Sequence, residues 1–114
     1  MFVRGKGLNE VLPLWLAAVV CLCLVGCHDE ATQHSNRGIA LWKKDKYDEA
    51  IAEFDKAIEL DPKHAKAYYY RSNVYYDCGQ YGRAWDDVHM AEELGYKISP
   101  RFVKVLREVS GRQR

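Results

Sequence analysis

Four cysteines and four histidines are among the side chains of this 114-residue chain whose types could bridge, ligate a metal or attack a carbonyl. Their placement speaks against chemistry of that kind. His28, His34, His64 and His89 fall in a terminal segment or in different helical stretches, no two at metal-ligand spacing, and no His-Glu-x-x-His run exists. Asp86-Asp87 and Glu92-Glu93 are adjacent pairs whose members project to different sides of a helix, so they read as solvated charge. The chain has no Gly-x-Ser-x-Gly and no phosphate-binding glycine loop, and Cys78 has no activating neighbour. With no nucleophile–base constellation in view, the expectation is a protein that is not an enzyme, without catalytic residue, metal or cofactor.

The other three cysteines belong to a different question. Residues 11–27, VLPLWLAAVVCLCLVGC, form an apolar run behind a leader that carries Arg4 and Lys6. A basic leader, an apolar core and small closing residues are the parts of a secretory signal peptide. The apolar stretch from 11 to 25 is 15 residues long and holds Pro13, whereas a membrane span needs about 20. Leu24-Val25-Gly26-Cys27 resembles the lipobox of bacterial lipoproteins. That resemblance implies removal of residues 1–26, diacylglycerol on the Cys27 thiol and a fatty acyl chain such as palmitate on the new amino terminus. Burying a lipid CH₂ gains about 0.8 kcal/mol, so two or three chains anchor a small domain firmly. A plain cleaved secretory peptide and an uncleaved anchor remain the other readings. All three place the rest of the chain outside the cytoplasm, because positive charge stays inside. His28 after the lipidated cysteine, where aspartate would favour inner-membrane retention, leans towards the periplasmic face of an outer membrane.

Cutting before Cys27 leaves 88 residues, a single domain at the small end of what folds alone. They hold 15 basic and 15 acidic side chains, a balance that gives no general affinity for nucleic acid. Basic residues gather after Lys97, at Arg101, Lys104, Arg107, Arg112 and Arg114, a tail that is solvated or touches anionic headgroups. Once Cys27 carries lipid, Cys78 is alone and behaves as a small hydrophobe.

The chain repeats itself. At an offset of 34, Arg37, Tyr47, Ala50, Ala57, Glu59 and Leu60 fall on Arg71, Tyr81, Ala84, Ala91, Glu93 and Leu94. Such a period marks stacked helical hairpins. In the first unit Tyr47, Ala50, Ile51, Phe54, Ala57 and Ile58 form one apolar stripe, ended at Asp61-Pro62. In the second, Tyr81, Ala84, Trp85, Val88 and Ala91 repeat it, with Gly95 as C-terminal cap. Partner helices are expected over 32–44 and 66–78, joined to these stripes by the turns Asp45-Lys46 and Gly79-Gln80. Ser99-Pro100 then opens a last helix with Phe102, Val105, Leu106 and Val109 on one face, suited to cap the array.

These residues resemble the tetratricopeptide repeat (TPR) family: Gly38, Ala50, Phe54, Ala57 and Pro62 fit its pattern in the first unit, and Tyr68, Tyr75, Ala84 and Ala91 in the second. His34, Arg37, Arg71, Ser72 and Tyr96 depart from it, which suggests a loosened first helix and a divergent end. The fold expected is all-α: two hairpins, residues 31–64 and 65–98, and a capping helix with basic tail, 99–114, in a short right-handed solenoid of five helices. Residues 27–30 form a short linker behind the lipid. Two units are few for a stacked array, so low stability alone, or support from a dimer, a partner or the membrane, is expected.

In this family the first helix of each hairpin lines a concave groove where partner segments dock. Carried over, that groove offers Ser35, Ile39, Trp42 and Lys43 from the first unit. The second offers Lys66, Tyr69, Tyr70, Asn73, Tyr76 and Asp77, with Trp42, Tyr69 and Tyr76 forming an exposed aromatic strip. Members that hold a peptide carboxylate use lysines and asparagines there. Ser35 and Ile39 occupy two of those positions here, so a carboxylate clamp is not expected. The resemblances together imply a lipid-anchored envelope adaptor for a protein or peptide near the membrane, because the linker at 28–31 reaches only about 14 Å. A self-associating structural lipoprotein is the alternative.

Overall fold

The computed structural model describes residues 14–111. The basic leader and the arginines at 112 and 114 lie outside the described residues, and so does the Cys27 side chain. Five helices and no strand occur among the described residues: α1 Leu14–Trp42, α2 Tyr47–Leu60, α3 Ala65–Asp77, α4 Tyr81–Glu93 and α5 Pro100–Ser110. The fold is the all-α helical-repeat solenoid expected, with α1–α2 and α3–α4 as antiparallel hairpins and α5 as the closing helix.

One boundary differs. The stretch expected as a linker, 28–30, is helical, and α1 runs unbroken from Leu14 into the first hairpin. No proline interrupts residues 14–42, and the one glycine at the junction, Gly26, costs a helix only about 1 kcal/mol. In the uncut chain the first repeat helix therefore continues the apolar segment. Among the described residues no helix is long and apolar enough to cross a membrane.

Each hairpin closes through small residues. Ala50, Phe54 and Ala57 lie at three- and four-residue spacing on α2 and are fully buried. Phe54 sits against Gly38 of α1, where an added Cβ would come within 2.9 Å of the ring, so only glycine permits this approach. The core continues into α3 through Ala67 and Val74, with Ile39, Trp42, Ile51 and Tyr70 packed around it. The turns repeat as well: Asp45 after α1 and Gly79 after α3 both have positive φ, 59° and 76°. Asp61 ends α2 in extended conformation before Pro62.

A second core joins α3, α4 and α5. Tyr75, Ala84, Trp85 and Val88 surround Leu106, which is fully buried and whose burial is worth about 1.5–3 kcal/mol. The Trp85 indole N–H donates to Ser110 Oγ at 3.0 Å, so the polar edge of the ring is satisfied at the end of α5. Pro100 opens that helix and Gly111, at φ 64°, ends it. The helix expected as a cap does cover the open flank of the second hairpin.

Candidate functional site

The face shared by α1 and α3 is where the resemblance places partner binding, and its aromatic side chains are bonded to one another. The Trp42 indole N–H donates to Asp77 Oδ2 at 2.6 Å, and its ring meets Tyr70 edge-on at 6.2 Å. Tyr70 lies parallel to Phe54 at 6.5 Å, with Lys66 Nζ 5.7 Å above its ring. Trp42 is therefore half-buried and ties the end of α1 to the end of α3.

The strip continues through Tyr69, which meets Tyr70 at 5.2 Å and stacks on Tyr96 at 4.9 Å. Phe102 of α5 packs edge-on against Tyr69 at 6.1 Å and Tyr76 at 5.7 Å. These two tyrosines, expected to stand open, are half-covered because α5 occupies the place the first helix of a third unit would take. What stays open is a cleft of about 270 Å³ lined by Tyr69, Ser99, Arg101, Phe102 and Val105. Another, of about 290 Å³, lies at the first turn between Asp45–Glu49 and Cys78. Burial, with Asp48 and Asp77 adding to it, pushes the Cys78 thiol up.

The remaining groove candidates divide. Lys43, Lys66 and Asp77 are exposed. Ile39 packs into the first core. Asn73 spends one amide N–H on Tyr69 O of its own helix at 2.8 Å. Ser35, expected to face the groove, is fully buried with no hydrogen-bond partner for its hydroxyl among the described residues. Ser35 and Ile39 are thus turned inward, and Asn73 is tied in part to its own helix.

Two further expectations are corrected. Asp87 is not solvated: it is 4% exposed and receives two hydrogen bonds from Arg71, Nε to Oδ2 at 2.8 Å and Nη2 to Oδ1 at 2.7 Å. Arg71 also donates to Asp55 Oδ1 at 2.6 Å, so it joins α3 to α4 and to α2 of the preceding hairpin. It fastens its helix where loosening was expected. Burial opposes the Arg71 charge, yet Asp87 and Asp55 hold its pKa above the ordinary value. Burial pushes the Asp87 carboxyl up, and Arg71 pulls it back only in part. Asp55 and Asp87 each lie sixteen residues from Arg71, close to half a repeat, and that spacing was the available signal.

The histidines also come together where spacing suggested they would not. His28 Nδ1 is 3.3 Å from Asp61 Oδ2, and His64 Nδ1 is 3.7 Å from the same oxygen. The fold-back of α2 along α1 sets the start of one helix beside the end of the other, which local spacing does not show. Elsewhere His34 pairs with Glu53 at 2.6 Å, between α1 and α2.

Comparison with known proteins agrees with this architecture. Two family models, both described as tetratricopeptide repeat, match residues 31–64 and 53–86. The Hsp70-Hsp90 organising protein of Plasmodium falciparum (isolate 3D7) is 26% identical over 78 residues, 68% of this chain and 14% of the relative. The STIP1 homolog of Dictyostelium discoideum is 32% identical over 84 residues, again 14% of its length, and the Hsp70-Hsp90 organizing protein of Triticum aestivum 30% over 80. The chain spans 14% of the length of these relatives, so the likeness concerns the repeats and not the whole proteins. The chain carries tetratricopeptide repeats.

Proposed function

We propose that this protein is a lipid-anchored adaptor of the bacterial cell envelope that binds a polypeptide segment across the face formed by α1 and α3. The observation that carries the reading is the continuous aromatic ladder from Trp42 through Tyr70 and Tyr69 to Phe102, bordered by an open apolar cleft and by the exposed cations Lys66 and Arg101. Rigid aromatic rings held by their neighbours give a partner a preformed surface at little entropic cost. Two of the relatives are named Hsp70-Hsp90 organising proteins, which supports a protein partner of some kind. No nucleophile–base constellation was found in the sequence, and the role proposed is non-catalytic.

The anchor rests on Leu24–Cys27 and the basic leader ahead of it. Cys27 is the proposed lipidation site, and the chain would then sit at a membrane on the extracytoplasmic side, at the outer membrane where there are two. Because the segment after Cys27 is helical, residues 28–31 span only about 6 Å at 1.5 Å per residue. The repeats therefore ride close to the bilayer, and the proposed partner is membrane-adjacent.

Two measurements test the halves separately. Labelled palmitate should mark the wild-type chain and not Cys27→Ser, and the serine variant should leave the membrane fraction. An unmarked wild type would remove the anchor. For the binding face, Lys66→Glu and Arg101→Glu alter exposed charges without cutting the aromatic core, and both should lower recovery of the partner from solubilised membranes. Recovery equal to wild type would discredit the face, and recovery of the chain's own second copy alone would favour the self-associating alternative.

A further inference from the structure

Beyond adaptor function, the corner where α1 passes the α2–α3 turn has the makings of a metal site. One ligand atom each from His28, Asp61 and His64 lies within 4.8 Å of the other two. A tetrahedral zinc ion with ligands at about 2.0–2.1 Å holds those atoms about 3.4 Å apart. The separations from Asp61 Oδ2 to the two Nδ1 atoms, 3.3 and 3.7 Å, already match that edge. Only the gap between the imidazoles has to close, and the His28 side chain is 66% exposed.

Three features make the cluster more than chance proximity. First, Asp61 is preset: its Oδ1 accepts the Lys63 backbone N–H at 3.1 Å, which aims Oδ2 at the imidazoles. Such outer hydrogen bonds orient metal-binding carboxylates. Second, His64 is an imidazole with only 11% of its side chain exposed and no hydrogen bond of its own. Its Nε2 is buried without a partner, and its Nδ1 stands 3.7 Å from Asp61, beyond hydrogen-bond range. Third, the repeat does not require these residues. One period on, the equivalents of His28, Asp61 and His64 are Pro62, Gly95 and Ile98, so the scaffold is built equally well without a ligand set.

We propose that His28, Asp61 and His64 form a divalent transition-metal site, with zinc the best match, which clips the start of the repeat-forming part of α1 to the turn between the two hairpins. Two imidazoles and a carboxylate suit zinc, and solvent beside His28 supplies the remaining position. The clip adds a constraint that a two-hairpin array otherwise lacks.

The test uses the full chain in detergent micelles without a histidine tag, titrated with Zn²⁺ alone and followed by calorimetry and thermal unfolding. Wild type should take up one Zn²⁺ saturably and unfold at a higher temperature with the metal. His28→Gln changes an exposed side chain and leaves the core intact, and it and Asp61→Asn should each weaken binding at least about tenfold. Co²⁺ in place of Zn²⁺ should give the intense visible bands of a four-coordinate site, lost in His28→Gln. No saturable uptake by wild type, or a weakening below about tenfold in His28→Gln, overturns the site.

Discussion

Arg37 and Arg71 hold the same place in successive repeat units and live in different worlds. Arg37 is exposed on α1, whereas Arg71 on α3 is clasped between Asp87 of its own hairpin and Asp55 of the one before. The residue type is identical; what differs is that the second unit has a preceding hairpin to face. The aspartate's counterpart in the first unit is Glu53, and it is taken by His34. In a stacked array a side chain's role is set by which neighbours its unit has, as nearest-neighbour energetics of repeat proteins requires.

The comparison is broken most directly at the arginines. Arg71→Ala should cost about 3–5 kcal/mol in denaturant unfolding, because it strands a buried carboxylate, while Arg37→Ala should stay within about 0.5 kcal/mol. Replacing Arg71 and Asp87 together by leucine should be milder than Arg71→Ala alone. Equal costs at 37 and 71 would show that the clasp is inert.

A second contrast lies in how closely the two helices of each hairpin approach. Gly38 and Ser72 are repeat equivalents, but at 38 an added Cβ would meet the Phe54 ring at 2.9 Å, whereas Ser72 already carries one. Gly38→Ala should cost about 1–3 kcal/mol and Ser72→Ala less than about 1.5. A Phe54→Leu background should relieve part of the Gly38→Ala penalty, since the two sites touch and their effects should not add.

The turns give a smaller effect of opposite sign. Gly79 and Asp45 share a positive φ, so Gly79→Ala should cost about 1–2 kcal/mol, while Asp45→Gly should be neutral or stabilise by up to about 1. Smallest is a chemical difference at the end of each first helix, where Lys44 corresponds to Cys78. Burial, Asp48 and Asp77 raise the Cys78 thiol, so at neutral pH it holds less thiolate and should alkylate more slowly than a free cysteine. The deficit should shrink as pH rises through the raised value, and Asp77→Asn should bring the midpoint down, read by site-resolved mass spectrometry.

The fold was legible because a 34-residue period with alanines at matching places leaves few ways to pack helices. Ala50, Ala57, Ala84 and Ala91 all lie fully buried, as their role in close approach demanded. The proposed binding face was legible only as a location. Which aromatics stand open depends on α5, and nothing in Tyr69 or Tyr76 announces that Phe102 will lie across them. Trp42 read as an exposed anchor because periodicity cannot foresee that its indole reaches Asp77, thirty-five residues on. Asp87 was misplaced for a related reason: adjacent acids usually point to solvent, and only a partner half a repeat away makes one of them buried.

Docking of a partner against α1 and α3 is read position by position with a photo-crosslinking residue. Placed at Lys43, exposed on that side at the end of α1, it should yield a discrete product with a second protein in intact membranes. Placed at Lys56, exposed on α2, it should not. A Lys43 product no stronger than that from Lys56, or one containing only a second copy of this chain, would contradict the account.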